Sequence, residues 1–156
     1  MIKIAIPGYR NLQLEHLVLD YNGTMACDGE LLEGVAGRLQ DLSRQLEVHV
    51  LTADTFGKVV DQLAGLDCQL VVLPPERQDA LKLDYVKKLG SEKTVCVGNG
   101  RNDRLMLREA ALGVVLVQEE GAAIEALVEA DVVCPDIRAA LDLLVEPLRL
   151  VATLRS

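Results

Sequence analysis

Several features that mark large functional classes are scarce or missing in this chain of 156 residues. Tryptophan is absent and aromatic residues make up only 3% of the sequence, so a platform of rings that stacks on nucleic-acid bases is not expected. Basic residues are outnumbered, with 16 Lys and Arg against 24 Asp and Glu, and the formal net charge is −8. Because nucleic-acid binding relies on basic surface facing the phosphates, the composition disfavours a nucleic-acid partner.

Long apolar runs are missing as well. Half of the residues are hydrophobic, yet no run approaches the roughly 20 residues that cross a bilayer. The apolar part of the first ten residues is too short for a secretory signal and resembles a strand. We therefore expect a cytoplasmic protein with no membrane partner. One domain over residues 1–156 is expected, since this length suffices for one sizeable core.

The cysteines show no metal-binding or disulfide pattern. No CxxC pair occurs among Cys27, Cys68, Cys96 and Cys134. Cys96 and Cys134 lie in apolar, strand-like runs, which favours reduced and buried thiols over a metal site or a disulfide framework.

What the chain does have is a regular alternation of apolar strands and amphipathic helices. Expected strands cover 2–6, 16–20, 47–51, 70–73, 94–97, 113–117 and 131–134, and expected helices cover 33–46, 55–64, 77–89, 102–111, 122–129 and 136–145. The first segments are expected to form a hairpin or an edge extension, and the tail beyond Pro147 is ambiguous. This alternation predicts an α/β fold of three layers, in which a mostly parallel sheet lies between helices.

Two of the expected strands end in turns that carry a carboxylate. The apolar run 17–19 is followed by Asp20 and by Gly23-Thr24, and the run 95–97 is followed by the glycine-rich turn 98–103. In open α/β sheets, ligands bind outside the carboxyl ends of the strands. Two such ends side by side can hold a divalent cation and a phosphate between them.

Four motifs, taken in chain order, resemble those of the haloacid dehalogenase-like superfamily of phosphatases. They are Asp20-Tyr21-Asn22-Gly23-Thr24, then Val50-Leu51-Thr52, then Lys82, and finally Gly98-Asn99-Gly100-Arg101-Asn102-Asp103. The likeness covers about residues 15–145 and is nearest to the small, free-standing soluble P-type ATPase-like phosphatases. It implies a Rossmann-like fold of the haloacid dehalogenase type. The intervals 24–52 and 52–82 have room for one helix and one strand each, so no cap domain is expected.

The resemblance implies a catalytic or phosphate-binding role for several positions. Asp20 is the expected nucleophile, because a carboxylate can attack phosphorus and form an aspartyl-phosphate. The hydroxyl of Thr52 and the neighbouring backbone N–H, that of Ala53, are expected to bind phosphate oxygens, and Asn102 is expected to hold the phosphate or the loop. Lys82 is expected to neutralise charge on the phosphoryl group and on Asp20.

Each of these positions also has an ordinary structural explanation. Asp20 is equally a residue type that caps a solvated turn, and Thr52 or Asp54 is a suitable cap for the helix that follows. Asn102 can cap the helix after the glycine turn, and lysines on helices are usually solvated. On the residues alone the two explanations of Thr52 are evenly balanced, and the order of the motifs favours phosphate binding.

Magnesium is the cofactor that the resemblance implies. Asp20 and Asp103 would supply carboxylates, Asn22 its backbone carbonyl and Asn99 an uncharged amide oxygen. Many relatives have Asp at the positions of Asn22 and Asn99. The amide at residue 22 cannot transfer a proton, an assistance worth about 10²–10⁴-fold in rate, so slow turnover or a good leaving group is expected. The amide at residue 99 predicts weaker Mg²⁺ binding.

The expected function is that of a Mg²⁺-dependent phosphatase acting on a small phosphorylated substrate or a phosphoprotein. The alternative is a regulatory or binding relative of the same fold in which catalysis is weak or lost. Without a cap the site is open, so water exclusion has to come from substrate, a partner or a neighbouring subunit. The abundance of Leu and Val favours a homo-oligomer.

Overall fold

Strands and helices alternate along the chain as the apolar pattern predicts. The computed structural model describes residues 1–53 and 57–156. The strands are β1 (Ile2–Ala5), β2 (Asn11–Leu14), β3 (His16–Asp20), β4 (Ala26–Cys27), β5 (Glu30–Leu31), β6 (Glu47–Thr52), β7 (Gln69–Val72), β8 (Thr94–Gly98), β9 (Leu112–Leu116) and β10 (Val132–Cys134). The helices are α1 (Val35–Leu42), α2 (Lys58–Gln62), α3 (Gln78–Leu89), α4 (Arg104–Glu109), α5 (Ile124–Glu129), α6 (Ile137–Val145) and α7 (Pro147–Leu154).

Six of the strands form one parallel sheet in the order β10-β9-β8-β3-β6-β7. The strand β3 lies in the middle, between β8 and β6. Its residues Leu17, Val18 and Leu19 are fully buried, as expected for a parallel strand that is covered on both faces. The middle of the sheet is therefore the place where the two carboxylate-bearing strand ends come together.

Alternating side chains of the strands build two separate cores. Leu17 and Leu19 of β3 pack on one face with residues of α1, α2, α6 and α7. Val18 packs on the other face with residues of α3, α4 and α5. The sheet thus lies between two helical layers, and the predicted three-layer α/β fold is confirmed.

The structure shows how the N-terminal segment and the C-terminal tail fold, which the sequence pattern had left open. The strands β1 and β2 pair antiparallel as a separate hairpin, and the tail beyond residue 146 continues as α7. The two-residue strands β4 and β5, which also pair antiparallel, were not expected and replace a simple turn. Gly34, whose φ is +84°, precedes α1, so this helix begins later than the expected residue 33.

The connections of the sheet contain no additional domain in the described residues. Between β3 and β6 the chain forms only β4, β5 and α1, and between β6 and β7 the described part forms only α2. The start of the expected helix 55–64 and the alternative cap Asp54 fall on residues 54–56, which lie outside the described residues. No helix in the described ranges is long and apolar enough to span a bilayer.

Candidate active site

The candidate catalytic residues lie at the carboxyl ends of the three central strands. Asp20 is the last residue of β3, Thr52 the last of β6 and Gly98 the last of β8. Asp20 pairs in register with Leu51, so Thr52 lies one residue further along the neighbouring strand. The arrangement follows directly from the parallel sheet, in which all strand ends of one kind share an edge.

Lys82 joins the two carboxylates of the site. Its side chain is fully buried on α3, and its ammonium donates hydrogen bonds of 2.6 Å to Asp20 Oδ1 and 2.7 Å to Asp103 Oδ1. Buried lysines are rare unless they are paired, and this one is paired twice. The structure thus places Lys82 beside the proposed nucleophile, buried and not solvated as most helical lysines are, and its role toward phosphate stays a prediction.

The glycine-rich turn after β8 is folded around the carboxylate of Asp103. Asp103 Oδ2 accepts hydrogen bonds from the backbone N–H groups of Asn99 at 3.0 Å and Gly100 at 2.9 Å. A Cβ on Gly98 would lie 2.5 Å from Asp103 Cγ, so only glycine permits this approach. Asp103 thus holds the loop and Lys82. Its ligation of Mg²⁺ stays a prediction, and one lone pair of Oδ1 is left for it.

A second hydrogen-bonded group surrounds the other oxygen of Asp20. The hydroxyl of Thr24 lies 3.3 Å from Asp20 Oδ2 and 3.4 Å from Asn99 Oδ1. The amide nitrogen of Asn99 donates to the carbonyl of Gly121 at 3.0 Å, and its amide oxygen faces the hydroxyl of Thr24. Two protein oxygens, from Asp20 and Asn99, therefore lie beside the hydroxyl of Thr24, and oxygen is the ligand type that Mg²⁺ prefers, so the donor set fits that ion.

Burial shapes the protonation of this site. Burial and the nearby Asp103 carboxylate raise the pKa of Asp20 well above that of an exposed carboxyl, although Lys82 and Thr24 act in the opposite direction. Burial alone would lower the pKa of Lys82, but the two carboxylates outweigh it and raise that pKa to about 12. Lys82 is therefore a permanent cation, and Asp20 is the group whose charge responds to pH.

The remaining predicted residues line the edge of the site. Asn22 is exposed in the turn after β3 and forms an isolated bridge with Ala26. Asn102 is half-buried, and its amide lies 3.4 Å from Gln78 Oε1. Ala53 and Asn102 both line an open cleft of about 470 Å³. Thr52 is buried at the end of β6. Phosphate binding by these residues stays a prediction.

Gln118 contributes to the site although no motif pointed to it. Its amide nitrogen donates to the backbone carbonyls of Gly23 at 3.1 Å and Thr24 at 2.9 Å. Its amide oxygen accepts from the N–H of Ile137 at 2.9 Å. Gln118 thereby fixes the turn that carries Asn22 against the start of α6. A single glutamine in a loop has no sequence signature, so only the structure could identify it.

Three arginines border the cleft that Ala53 and Asn102 line. Arg101 pairs with Glu125 at 2.6 Å and Arg104 pairs with Asp79 at 2.9 Å. Arg77, at the N-terminus of α3, has no ion-pair partner among the described residues. Its φ of +57° is a left-handed conformation that is uncommon for a residue with a side chain. Arg77 therefore offers this side of the site a positive charge that no carboxylate of the described residues offsets.

Comparison with known proteins identifies a relative of unknown function. No protein-family model matches the chain. The chain is 42% identical over 78 residues to the uncharacterized protein MJ0073 of Methanocaldococcus jannaschii, in a match that covers 47% of this chain and 84% of MJ0073.

Solved structures identify the fold. The chain is similar to a protein described as a HAD family hydrolase from Streptomyces avermitilis, with a TM-score of 0.71, 18% identity and coverage of 92% and 91% of the two chains. It is also similar to the cobalt-bound deoxy-D-mannose-octulosonate 8-phosphate phosphatase (YrbI) of Haemophilus influenzae, with a TM-score of 0.72, 14% identity and coverage of 92% and 94%.

A third solved structure holds ligands of the kind expected here. The 3-deoxy-D-manno-octulosonate 8-phosphate phosphatase of Moraxella catarrhalis, in complex with a magnesium ion, a phosphate ion and a KDO molecule, has a TM-score of 0.69 at 16% identity, over 91% of this chain and 94% of that one. Likeness at such identities establishes the fold, and the predicted haloacid dehalogenase-like fold without a cap domain is confirmed. The nearer likeness to P-type ATPases stays a prediction.

Proposed function

Because the chain belongs to the family of MJ0073 and has the haloacid dehalogenase-like fold, we propose that it is a phosphatase that acts through a phosphorylated Asp20. The observation that carries the proposal is the buried Lys82 ammonium, which lies 2.6 Å from Asp20 and 2.7 Å from Asp103 at the carboxyl end of the sheet. A merely structural domain has no use for two carboxylates and a lysine buried at the edge where ligands bind.

The chemistry proceeds in two displacements. An oxygen of Asp20 attacks the phosphorus of a phosphate ester, the bond to the leaving oxygen breaks, and the leaving group takes its proton from solvent because Asn22 cannot supply one. Water then attacks the same phosphorus, the bond to Asp20 breaks, and inorganic phosphate and the free carboxylate are released. Lys82 stays protonated throughout and lowers the negative charge that builds up around phosphorus.

Magnesium completes the proposed site. Asp20, Asn99, Asp103 and the backbone carbonyl of Asn22 would hold the ion, which would offset phosphate charge and orient the group for attack. The two oxygens that converge beside Thr24, from Asp20 and Asn99, support this assignment. Only two of the proposed ligand side chains are acidic, so we expect binding in the weaker range for this fold.

The substrate proposed is a small phosphorylated compound with a second negative group. The phosphate would lie against Thr52, Ala53, Asn102 and Lys82. Since Ala53 and Asn102 also line the arginine-bordered cleft of about 470 Å³, an anionic leaving group would extend toward Arg77. The open edge accommodates such a group without a cap domain. A phosphoprotein is the other substrate of this class, and an oligomer in the cytoplasm is our expectation for the assembly.

Hydrolysis of p-nitrophenyl phosphate tests the proposal. Wild type should release phosphate in the presence of Mg²⁺, and Asp20→Asn should abolish the reaction while the exposed control Asp84→Asn on α3 leaves it intact. Mass spectrometry of acid-quenched protein should find a phosphoryl group on the peptide that contains Asp20. Hydrolysis that persists in Asp20→Asn, or that never exceeds the buffer rate in wild type, would reject the phosphatase assignment.

A second candidate function follows from the two amides. Asn22 and Asn99 stand where catalytically complete relatives have carboxylates, which favours a regulatory relative that binds phosphate without turning it over. Such a protein would still bind inorganic phosphate beside Lys82 in calorimetry. Phosphate binding together with no phosphorylated Asp20 under any substrate would favour this second function.

A further inference from the structure

Both histidines of the chain come together with a glutamate at the opposite end of the central strands from Asp20. His16 is the first residue of β3, whereas Asp20 is its last. His16 pairs in parallel register with Glu47 of β6, and His49 follows two residues later on β6. Because side chains alternate along a strand, these three project from the same face of the sheet.

The three candidate ligand atoms form a small triangle. His16 Nδ1 lies 3.2 Å from His49 Nε2 and 3.3 Å from Glu47 Oε2, and His49 Nε2 lies 3.8 Å from Glu47 Oε2. A circle through three points at these separations has a radius of about 2.0 Å, which matches Zn–N and Zn–O bonds of roughly 2.0–2.2 Å. An ion at the centre of this triangle would therefore lie at bonding distance from all three atoms.

Tyr85 orients the buried member of the group. Its hydroxyl lies 2.8 Å from His49 Nδ1, and His49 is almost fully buried. If Nδ1 donates its hydrogen to the tyrosine oxygen, Nε2 carries the free lone pair that faces His16 and Glu47. Metal-bound histidines commonly donate their second nitrogen in this way.

We propose that His16, Glu47 and His49 bind a divalent transition-metal ion, for which Zn²⁺ is the best chemical match. Two imidazoles and one carboxylate are a ligand set that zinc uses, with water in the fourth position. Magnesium and calcium prefer oxygen ligands only, so this site and the site at Asp20 select different ions. Glu47 has a side chain that is 64% exposed, which leaves an open path from solvent for the ion and its water.

A metal at this place would join the three elements that carry the candidate catalytic residues. His16 shares β3 with Asp20, and His49 shares β6 with Thr52. Tyr85, which contacts His49, lies one turn along α3 from Lys82. The bound ion would therefore cross-link β3 to β6 and support α3 through Tyr85, which stabilises the folded protein over the unfolded chain.

Metal titration of the full chain tests this site separately from the one at Asp20. Chelator-stripped protein in excess Mg²⁺ is titrated with Zn²⁺, and with Co²⁺ as a spectroscopic probe. We expect one equivalent of Zn²⁺ to bind in wild type and in Asp20→Asn. Co²⁺ should give the intense visible absorption of a four-coordinate site with nitrogen ligands, whereas an oxygen-only, six-coordinate site absorbs weakly.

Variants of the ligands provide the control for folding. His16→Gln and Glu47→Gln should weaken Zn²⁺ binding by more than about tenfold, since even outer partners of a metal site cost that much. Glu92→Gln, which changes another exposed glutamate, should bind as wild type does. Thermal unfolding without metal shows whether each variant folds. Added Zn²⁺ should raise the Tm of wild type and Glu92→Gln but not that of the two ligand variants.

Nuclear magnetic resonance gives the direct readout, because the chain has only 2 histidines. Zn²⁺ should shift the ring nitrogen signals of both. If no Zn²⁺ binds, if binding leaves both ring signals unchanged, or if Asp20→Asn abolishes binding and His16→Gln does not, the cluster is only a hydrogen-bonded pair and the proposal is wrong.

Discussion

Lys82 donates a hydrogen bond of 2.6 Å to Asp20 from a position that solvent does not reach. Its ammonium therefore offsets charge on the proposed nucleophile and, through a bond of 2.7 Å, on Asp103. We expect Lys82→Met to lower kcat by about 10²–10³-fold, the usual cost of removing one group that stabilises transition-state charge. It should also lower the free energy of unfolding by roughly 3–5 kcal/mol, because two buried carboxylates lose their partner.

The two effects of Lys82→Met can be separated by a second substitution. Lys82→Met combined with Asp103→Asn removes one of the stranded carboxylates, so it should recover part of the stability measured by urea unfolding. Activity should not recover, since the positive charge beside phosphorus is still missing. Recovery of both quantities together would mean that Lys82 only supports the fold.

Gly98 and Asp103 make a contact that tolerates no side chain on the glycine. A Cβ at residue 98 would lie 2.5 Å from Asp103 Cγ, so Gly98→Ala should push this carboxylate away from the loop and from Lys82. We expect a loss of roughly 1–3 kcal/mol in stability, as for other overpacked sites, and a large loss of activity. Gly37→Ala in α1 is the matched control. No atom lies within 4 Å of the added carbon there, and alanine should stabilise the helix by about 0.5–1 kcal/mol.

The fold could be predicted from the sequence because it depends on local patterns, and the candidate site residues came from motifs that resemble those of a known family. Apolar runs alternating with helical spacing predict a parallel α/β sheet, and the strand-end position of Asp20 follows from the run that precedes it. The expectation that no cap domain is inserted also follows from the short intervals between the motifs. These features need no knowledge of which strands are neighbours.

Features that depend on strand order could not be predicted in the same way. His16 and His49 are far apart in sequence and meet only because β3 lies beside β6. Gln118 is likewise distant in sequence from Gly23, and the fold brings its side chain to that turn. The pairing of Lys82 with both Asp20 and Asp103 also requires the packing of α3 on the sheet. Long-range proximity of this kind leaves no periodic signal in the chain.

The charge of Asp20 makes activity sensitive to acid. Burial, followed by repulsion from Asp103, raises the pKa of Asp20, and only its ionised form can attack phosphorus. We expect kcat/KM to fall as pH decreases through this raised pKa, at higher pH than the usual value of about 3.9 would give. Bound Mg²⁺ favours the ionised form, so more Mg²⁺ should move the acidic limb of the pH profile to lower pH.

The raised pKa of Asp20 affects activity and stability in opposite directions: activity falls as pH decreases, whereas the free energy of unfolding falls as pH rises. Protonated Asp20 contributes stability that is full below the unfolded-chain pKa of about 3.9 and is lost as pH rises through the raised folded pKa. Asp20→Asn should remove this part of the pH dependence of urea unfolding measured without Mg²⁺. A variant whose stability profile keeps the shape of the wild-type profile would show that another group titrates.

Arg77 is the cation proposed to bind the second negative group of the substrate. Arg77→Gly removes the charge and also relieves a left-handed backbone with φ of +57°. We expect KM to rise by about two- to fivefold, since an exposed ion pair contributes roughly 0.5–1 kcal/mol, while kcat and folding are kept. Added salt should narrow the difference from wild type.

Two comparisons test that the change in KM comes from the cleft. Lys88→Ala removes the same charge from the far end of α3, where it is exposed, and should leave KM unchanged. A monoanionic leaving group should respond to Arg77→Gly more strongly than a neutral one of the same size. Equal responses to both leaving groups would place the second negative group elsewhere.

Substitution of Asn22 tests whether the site hydrolyses phosphate esters slowly or not at all. It is exposed in the turn after β3, so Asn22→Asp introduces an acid at the edge of the site without burying a charge. If proton transfer limits the enzyme, hydrolysis of an alkyl phosphate should rise by about 10²-fold or more, within the usual range for general acid–base assistance. p-Nitrophenyl phosphate should gain much less, because its leaving group departs without a proton. Asn102→Asp adds the same charge at another of the predicted site residues and should give no such selectivity. If neither ester gains from Asn22→Asp while inorganic phosphate still binds, the chain is the binding relative, because a site limited only by a missing acid has to respond when the acid is restored.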